Sequence, residues 1–221
     1  SEVLNARYTE AGREALNAMV HHRAEIGAPA MSAAVAIQGE VIWQGAVGYA
    51  DILDQREASP NMIVRIGSTS KAITATALAR LVQRGDIDLD APIETYLSEL
   101  PNEMWASITP RMLASHMSGL PHYGDNDDFD GLLVSLRMNK SYRDIRDALR
   151  QFDESTLLFT PGSEFEYSSN GTVLLGAVMS EAAGKPYREL IYDEVLSPAE
   201  AFSTIVAPKR MHGANFGVPY Y

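Results

Sequence analysis

The sequence predicts an α+β fold, and three observations predict it. Two β-like runs, Met31–Gln38 and Val41–Tyr49, meet at a tight Gly39-Glu40 turn, the pattern of an antiparallel hairpin. An extended run at Met62–Ile66 leads into a long alanine-rich helical pattern, Ala72 to Arg84. Beyond Gly85 the chain turns to short helices and acidic or proline-bearing loops, without the strand–helix alternation that builds a parallel sheet. The expected architecture is a hairpin-and-helix layer with a mostly helical insertion.

Each element has a local reason. Thr9 to Ile26 reads as an amphipathic helix that Thr9 can cap, with Leu16, Met19, Val20 and Ile26 along one face and Gly27-Ala28-Pro29 as its stop. Asp51 to Pro60 is polar and loop-like. The helix that begins near Ser68 runs to Gly85, a C-cap glycine, with Arg80 and Arg84 suited to the negative end of its dipole. A short segment at Ile93–Leu97 interrupts the acidic stretch Asp86–Pro101. Thr109-Pro110 starts a helix through Ser115, with proline at a permitted first-turn position. Gly119 to Gly131 reads as a loop. Helices are expected at Gly131–Met138 and Tyr142–Phe152, the second capped by Ser141 with Asp144 three residues on. Pro161-Gly162 turns the chain into Phe165-Glu166-Tyr167. A helix from about Asn170 to Ala183 follows, capped by Ser168 or Ser169, and another runs to about Leu196 after Gly184-Lys185-Pro186. The apolar stretches Ala30–Ile37 and Val173–Met179 suggest a core strand and a core helix. Three parts are expected: residues 1–84 with the sheet and the long helix, 85–186 as a helical subdomain, and 187–221 returning toward the sheet part without completing it.

With 46% hydrophobic residues among 221, the chain can bury a sizeable core. Its net charge of -11 argues against nucleic acid or an anionic membrane surface as the main partner. No apolar run approaches the length of a membrane span. There are no cysteines, which excludes thiol catalysis, disulfides and cysteine-ligated zinc and leaves the redox compartment open. No basic segment followed by an apolar one opens the chain, so no signal peptide is expected. It begins at Ser1, which keeps export open.

The chemistry concentrates at Arg65-Ile66-Gly67-Ser68-Thr69-Ser70-Lys71. Helical residues at i and i+3 share a face, so the Ser68 hydroxyl and the Lys71 amine can meet. The helix N-terminus offers free N–H groups and a positive dipole end to a developing oxyanion. Those are the parts of a serine nucleophile with a lysine base. A serine cap beside a solvated lysine reads identically, but Ser68–Lys71 is the single Ser-x-x-Lys of the chain and opens a helix. Small residues at Ala72, Ala75, Ala77 and Ala79 suggest close packing of that helix, which would desolvate Lys71 and ease its deprotonation. A second candidate is Phe165-Glu166-Tyr167-Ser168-Ser169-Asn170-Gly171, whose phenol could relay a proton. An ordinary aromatic before a serine-capped helix has the same pattern.

Taken together, several stretches resemble the serine β-lactamase-like hydrolases: class C β-lactamases, D-Ala-D-Ala carboxypeptidases and β-lactamase-like esterases. Beside the Ser68 segment they are Gly85-Asp86-Ile87-Asp88-Leu89-Asp90, Leu113-Ala114-Ser115-His116-Met117-Ser118-Gly119-Leu120, Pro161-Gly162-Ser163-Glu164-Phe165-Glu166-Tyr167-Ser168 and Leu174-Leu175-Gly176. The resemblance implies a β-lactamase/transpeptidase-like fold, an antiparallel sheet flanked by helices with an inserted helical subdomain. It implies a serine hydrolase acting through an acyl-enzyme on peptide-like amides, β-lactams or small esters, without a cofactor. Ser68 would be the nucleophile and donate half an oxyanion hole through its N–H. Lys71 would be the proton acceptor, and Tyr167 the tyrosine of a Tyr-x-Asn element.

Two departures qualify that expectation. Ser169 stands where the Tyr-x-Asn asparagine would be, and Asn170 follows one residue late; Ser168-Ser169-Asn170 can also be read as a Ser-x-Asn. Ser169 and Asn170 are the substrate-binding candidates. A hydroxyl there, with Ser115–Gly119 and His122-Tyr123, is similar to the mitochondrial serine β-lactamase-like proteins and their bacterial relatives. The family also carries a Lys/His-x-Gly strand, and His212-Gly213 is only a superficial match to it. A homo-oligomer or a second chain supplying the remaining strands is therefore among the partners considered, beside a small-molecule or peptide substrate. A non-catalytic binding or scaffolding member of the fold, or an inactive fragment of the enzyme, is the alternative. A periplasmic or secreted location is preferred to a cytoplasmic one. Asn126–Gly131 imitates a calcium loop but has Asn126 first and Arg137 where a glutamate is needed, so it is read as acidic surface. His21-His22, and the pair His116 and His122, are read as structural or surface groups, and no metal site is expected.

Overall fold

The computed structural model describes residues 2–123, 142 and 144–206. The described residues fall into two compact units, one ending at Arg65 and the other starting at Ile66. The expected helix at Gly131–Met138, the calcium-like loop and His212-Gly213 lie outside the described residues.

The first unit is a small antiparallel sheet with one helix, α1 (Thr9–Ile26). Strands β2 (Ala30–Ile37) and β3 (Glu40–Asp51) form the expected hairpin. Its turn is one residue earlier than expected, at Gln38-Gly39, because Ile37 pairs with Glu40. Both turn residues have positive φ, 52° and 84°, the mirror-image turn that matches strand twist. Two strands escaped sequence reading for want of length: β1 (Glu2–Val3) and β4 (Arg56–Glu57), each antiparallel to β3. Strand β2 closes the order β1-β3-β2 at an edge, and from Ser32 to Ile37 it is exposed, so it is not the core strand its composition suggested. Helix α1 buries Gly12 against the sheet. A Cβ there would meet the Trp43 ring at 2.5 Å, so glycine sets how near the helix comes. Thr9 begins α1 rather than capping it, and Val20 and Ile26 lie exposed while Met19 is buried. Gly27 stops the helix at φ 64° as expected.

The second unit is helical around one apolar core. It opens with a 3-10 turn, Gly67–Thr69, that runs into α2 (Ser70–Arg84) and stops at left-handed Gly85. Thr74, Ala77, Leu78 and Leu81 form its buried face, while Ala72, Ala75 and Ala79 are exposed, so the alanines do not all pack inward. The run Met62–Ile66 forms no strand beyond a single bridge at Ile63. Helix α3 (Pro110–Ala114) has the expected Thr109 cap, its Oγ1 accepting from Met112 N–H at 3.3 Å. Helix α4 is Ile145–Leu149, shorter than expected because Asp144 is its cap and Arg150 its end. Helix α5 (Ser169–Ala183) is capped by Ser168, whose Oγ accepts from Gly171 N–H at 3.0 Å. It supplies Leu174, Leu175, Val178 and Met179 to the core, as its apolar composition suggested. Helix α6 (Tyr187–Ile191) continues into a π turn, Tyr192–Leu196. That turn places buried Glu194 on the end of α2, where its Oε2 accepts from Arg84 Nη1 at 2.7 Å and Arg80 Nε at 2.9 Å. The two arginines read as dipole partners therefore also pair, half exposed, with a buried carboxylate.

Candidate active site

Ser68 sits in the 3-10 turn, where it is exposed, and Lys71 follows one helical turn later with partial burial. Lys71 Nζ donates to Ser68 Oγ at 3.1 Å, the contact that i,i+3 spacing anticipates. Gly67, at φ 52°, makes the backbone bend just before the serine. The other end of α2 is fixed by Glu194, and its middle by the 2.7 Å bond between buried Thr74 Oγ1 and half-buried Tyr187 OH.

Tyr167 arrives from far along the chain, and its hydroxyl donates to Ser68 Oγ at 2.7 Å. Lys71 Nζ lies 4.8 Å from the centre of the phenol ring and also donates to Ser169 Oγ at 3.1 Å. Lys71 first, and Ser68 next, hold the Tyr167 phenol below its ordinary pKa. The structure thus joins Ser68, Lys71, Tyr167 and Ser169 in one hydrogen-bonded group. Asn170 stays out of it: its Nδ2 donates to the Pro121 carbonyl at 2.9 Å.

The segment carrying Tyr167 is held by the loop after α3. His116 takes a left-handed φ of 59° and Gly119 one of 79°. Main-chain bonds from Leu158, Gly162 and Glu166 N–H to the carbonyls of Gly119, Met117 and His116, at 2.8, 2.8 and 2.9 Å, tie the two segments together. Two imidazoles complete the support. His116 Nδ1 accepts Ser168 N–H at 3.2 Å, and His122 Nδ1 accepts Ser169 N–H at 3.1 Å. Burial, then the Lys71 charge, push the His116 imidazole below its ordinary pKa. Sequence reading took both histidines for structural or surface groups. Their sequence signal, a histidine on each side of Ser118-Gly119-Leu120, says nothing of the main-chain donors they meet.

Among the described residues no three His, Cys, Asp or Glu side chains gather as a metal site, and no helix is long and apolar enough to cross a membrane. The site consists of hydroxyls, one amine and two imidazoles. It can move protons around an exposed serine oxygen.

The Beta-lactamase family model matches residues 16–213. The chain is 32% identical to Esterase EstB of Burkholderia gladioli over 91% of its own length and 52% of the esterase's. It is 27% identical to the human serine beta-lactamase-like protein LACTB, mitochondrial, over 82% of its length and 44% of that protein's. The D-amino acid amidase from Ochrobactrum anthropi SV3, complexed with L-phenylalanine amide, superposes with a TM-score of 0.67 at 26% identity, covering 86% of this chain and 51% of the amidase. The chain therefore spans about half the length of the relatives it matches.

Proposed function

The chain belongs to the Beta-lactamase family, and from that premise we propose that it is a serine hydrolase working through an acyl-enzyme on Ser68. One observation carries the reading: the Ser68 oxygen has a phenol at 2.7 Å and an amine at 3.1 Å. A serine hydroxyl is a weak nucleophile unless a neighbour takes its proton as it attacks. Here two neighbours share that work. Lys71 Nζ, 3.1 Å from the serine oxygen, is placed to take the proton directly. The Tyr167 phenol, its pKa lowered by Lys71, can carry it onward to the leaving group.

In the acylation step Ser68 Oγ bonds to the acyl carbon while its proton passes to Lys71 or Tyr167. The tetrahedral adduct then expels an amine or alcohol, which takes that proton. In the second step a water bonds to the acyl carbon, gives its proton to the same pair, and returns Ser68 as a hydroxyl. The Ser68 N–H at the start of α2 supplies one donor for the oxyanion.

Peptide-like amides, small esters and β-lactams are the acyl donors we propose. The relatives named as an esterase and an amidase support the first two. Of the two substrate-binding candidates we favour Ser169, whose Oγ accepts from Lys71, over Asn170, whose amide is engaged by the Pro121 carbonyl. A nitrophenyl ester and an aminoacyl anilide, followed in stopped flow, test the proposal. We expect a burst of one leaving group per chain before slower turnover, and no burst with Ser68→Ala. A burst that survives Ser68→Ala would show that another group does the chemistry.

A further inference from the structure

Two imidazoles stand behind Tyr167, and the reaction above does not use them. Their rings lie 4.6 Å (His116) and 5.3 Å (His122) from the phenol ring, centre to centre. Each Nδ1 accepts a main-chain N–H, from Ser168 and Ser169 respectively. A ring nitrogen accepts only while it carries no proton, so each of these bonds requires an unprotonated Nδ1. The donors open α5, where N–H groups lack intrahelical partners. His116 in addition brackets the tyrosine. Its carbonyl accepts the N–H of Glu166 at 2.9 Å and its Nδ1 accepts the N–H of Ser168 at 3.2 Å, the residues on either side of Tyr167.

We propose that His116 is the positioning residue that aims Tyr167 at Ser68, with His122 as a second clamp, and that a proton on His116 Nδ1 releases the phenol and turns the site off in acid. A protonated Nδ1 would meet the Ser168 N–H donor to donor, and a hydrogen bond becomes a repulsion. Partial burial first, then Lys71 of α2 and, more weakly, His122 of the neighbouring loop oppose a positive charge on the ring, and together they outweigh the contrary contribution of the Ser168 main chain. Tyr167 meets the ring face, and Glu166 is tied through its main chain. The switch therefore lies below the ordinary imidazole value of about 6.5.

The rate readout rests on Ser68 being the nucleophile; the spectroscopic readout does not. The first is the rate of fluorophosphonate acylation against pH for the wild type and the His116→Ala, His116→Asn and His116→Gln variants. The second is the Ser168 amide resonance and the His116 ring nitrogens over the same range. Asparagine tolerates the left-handed backbone, and its carbonyl oxygen stands near the Nδ1 position, whereas glutamine reaches one bond further. We expect wild-type acylation to fall in acid as one proton is bound, with the Ser168 amide moving at the same midpoint. His116→Ala should lose about tenfold or more, the scale at which misplacing a catalytic group is felt. His116→Asn should recover most of that loss and lose the acid limb, and His116→Gln should not. An unchanged acid limb in His116→Asn, a wild-type profile in His116→Ala, or a Ser168 amide indifferent to the imidazole would each overturn the proposal. Should the wild type not acylate at all, the nucleophile assignment fails, and the Ser168 amide titration still decides for or against the clamp.

Discussion

Tyr167 holds its hydroxyl nearer to the Ser68 oxygen than Lys71 holds its amine, 2.7 Å against 3.1 Å. If the phenol carries the proton to the leaving group, Tyr167→Phe should slow acylation by about 10²–10⁴-fold, the usual worth of a positioned proton donor. The loss should be larger for an anilide than for a nitrophenyl ester, whose leaving group departs without a proton. Equal losses on the two, in the same stopped-flow assay, would count against the relay. His116 makes a separate claim on stability. Its folded pKa is depressed, so below about 6.5 the unfolded chain takes up the proton first and stability falls with pH. His116→Asn should remove that part of the slope in a thermal-midpoint series from pH 7 to 5. At this scale only part of the site is legible in the residues. Ser68 and Lys71 are legible because a helical turn joins them, and Tyr167 because it matches a known pattern. The histidines are not legible, since each acts through a main-chain N–H that leaves no mark on residue identity.

The elements that hold the site do so with backbone as much as with side chains. Gly119 turns the His116 loop at φ 79°, and a Cβ there would come within 2.5 Å of the Phe159 carbonyl. Gly119→Ala therefore meets both a left-handed backbone and a clash, and should cost more than the ~1 kcal/mol of a simple glycine exchange. A thermal midpoint within a degree of wild type would refute that. Glu194 anchors the far end of α2, and Arg84 first, with Arg80, holds its carboxyl down to about 2. A depressed carboxylate contributes stability above its ordinary value of ~4.3 and loses it as pH falls toward the folded value. Glu194→Gln should then be less stable at neutral pH by about 1–2 kcal/mol, a figure lowered because both guanidiniums are half exposed. The gap should close on acidification from pH 5 toward 2, as followed by circular dichroism. Helices with a glycine stop, α1, α2 and α5, were legible. Strands β1 and β4 were not, because two residues carry no periodicity. The apolar composition of β2 misled, because it records β-propensity and not which strand lies at the edge.

For the whole molecule, the sequence indicated an α+β chain and the β-lactamase/transpeptidase-like fold. The Beta-lactamase family model, matching residues 16–213, bears that out. The site lies wholly within the unit that starts at Ile66, where α2, the His116–Tyr123 loop and the start of α5 converge. A chain spanning about half of its relatives thus contains the serine hydroxyl, the amine, the phenol and the supporting imidazoles of the proposed site. Its central claim is that the Ser68 oxygen is activated in this chain as it stands. Incubation with a fluorophosphonate and a fluorescent penicillin, followed by intact mass and peptide mapping, tests this most directly. The account predicts one adduct per chain on the peptide containing Ser68, absent in Ser68→Ala and much slower to form in Lys71→Ala and Tyr167→Phe. No adduct with either reagent, or an adduct on another residue, would contradict it.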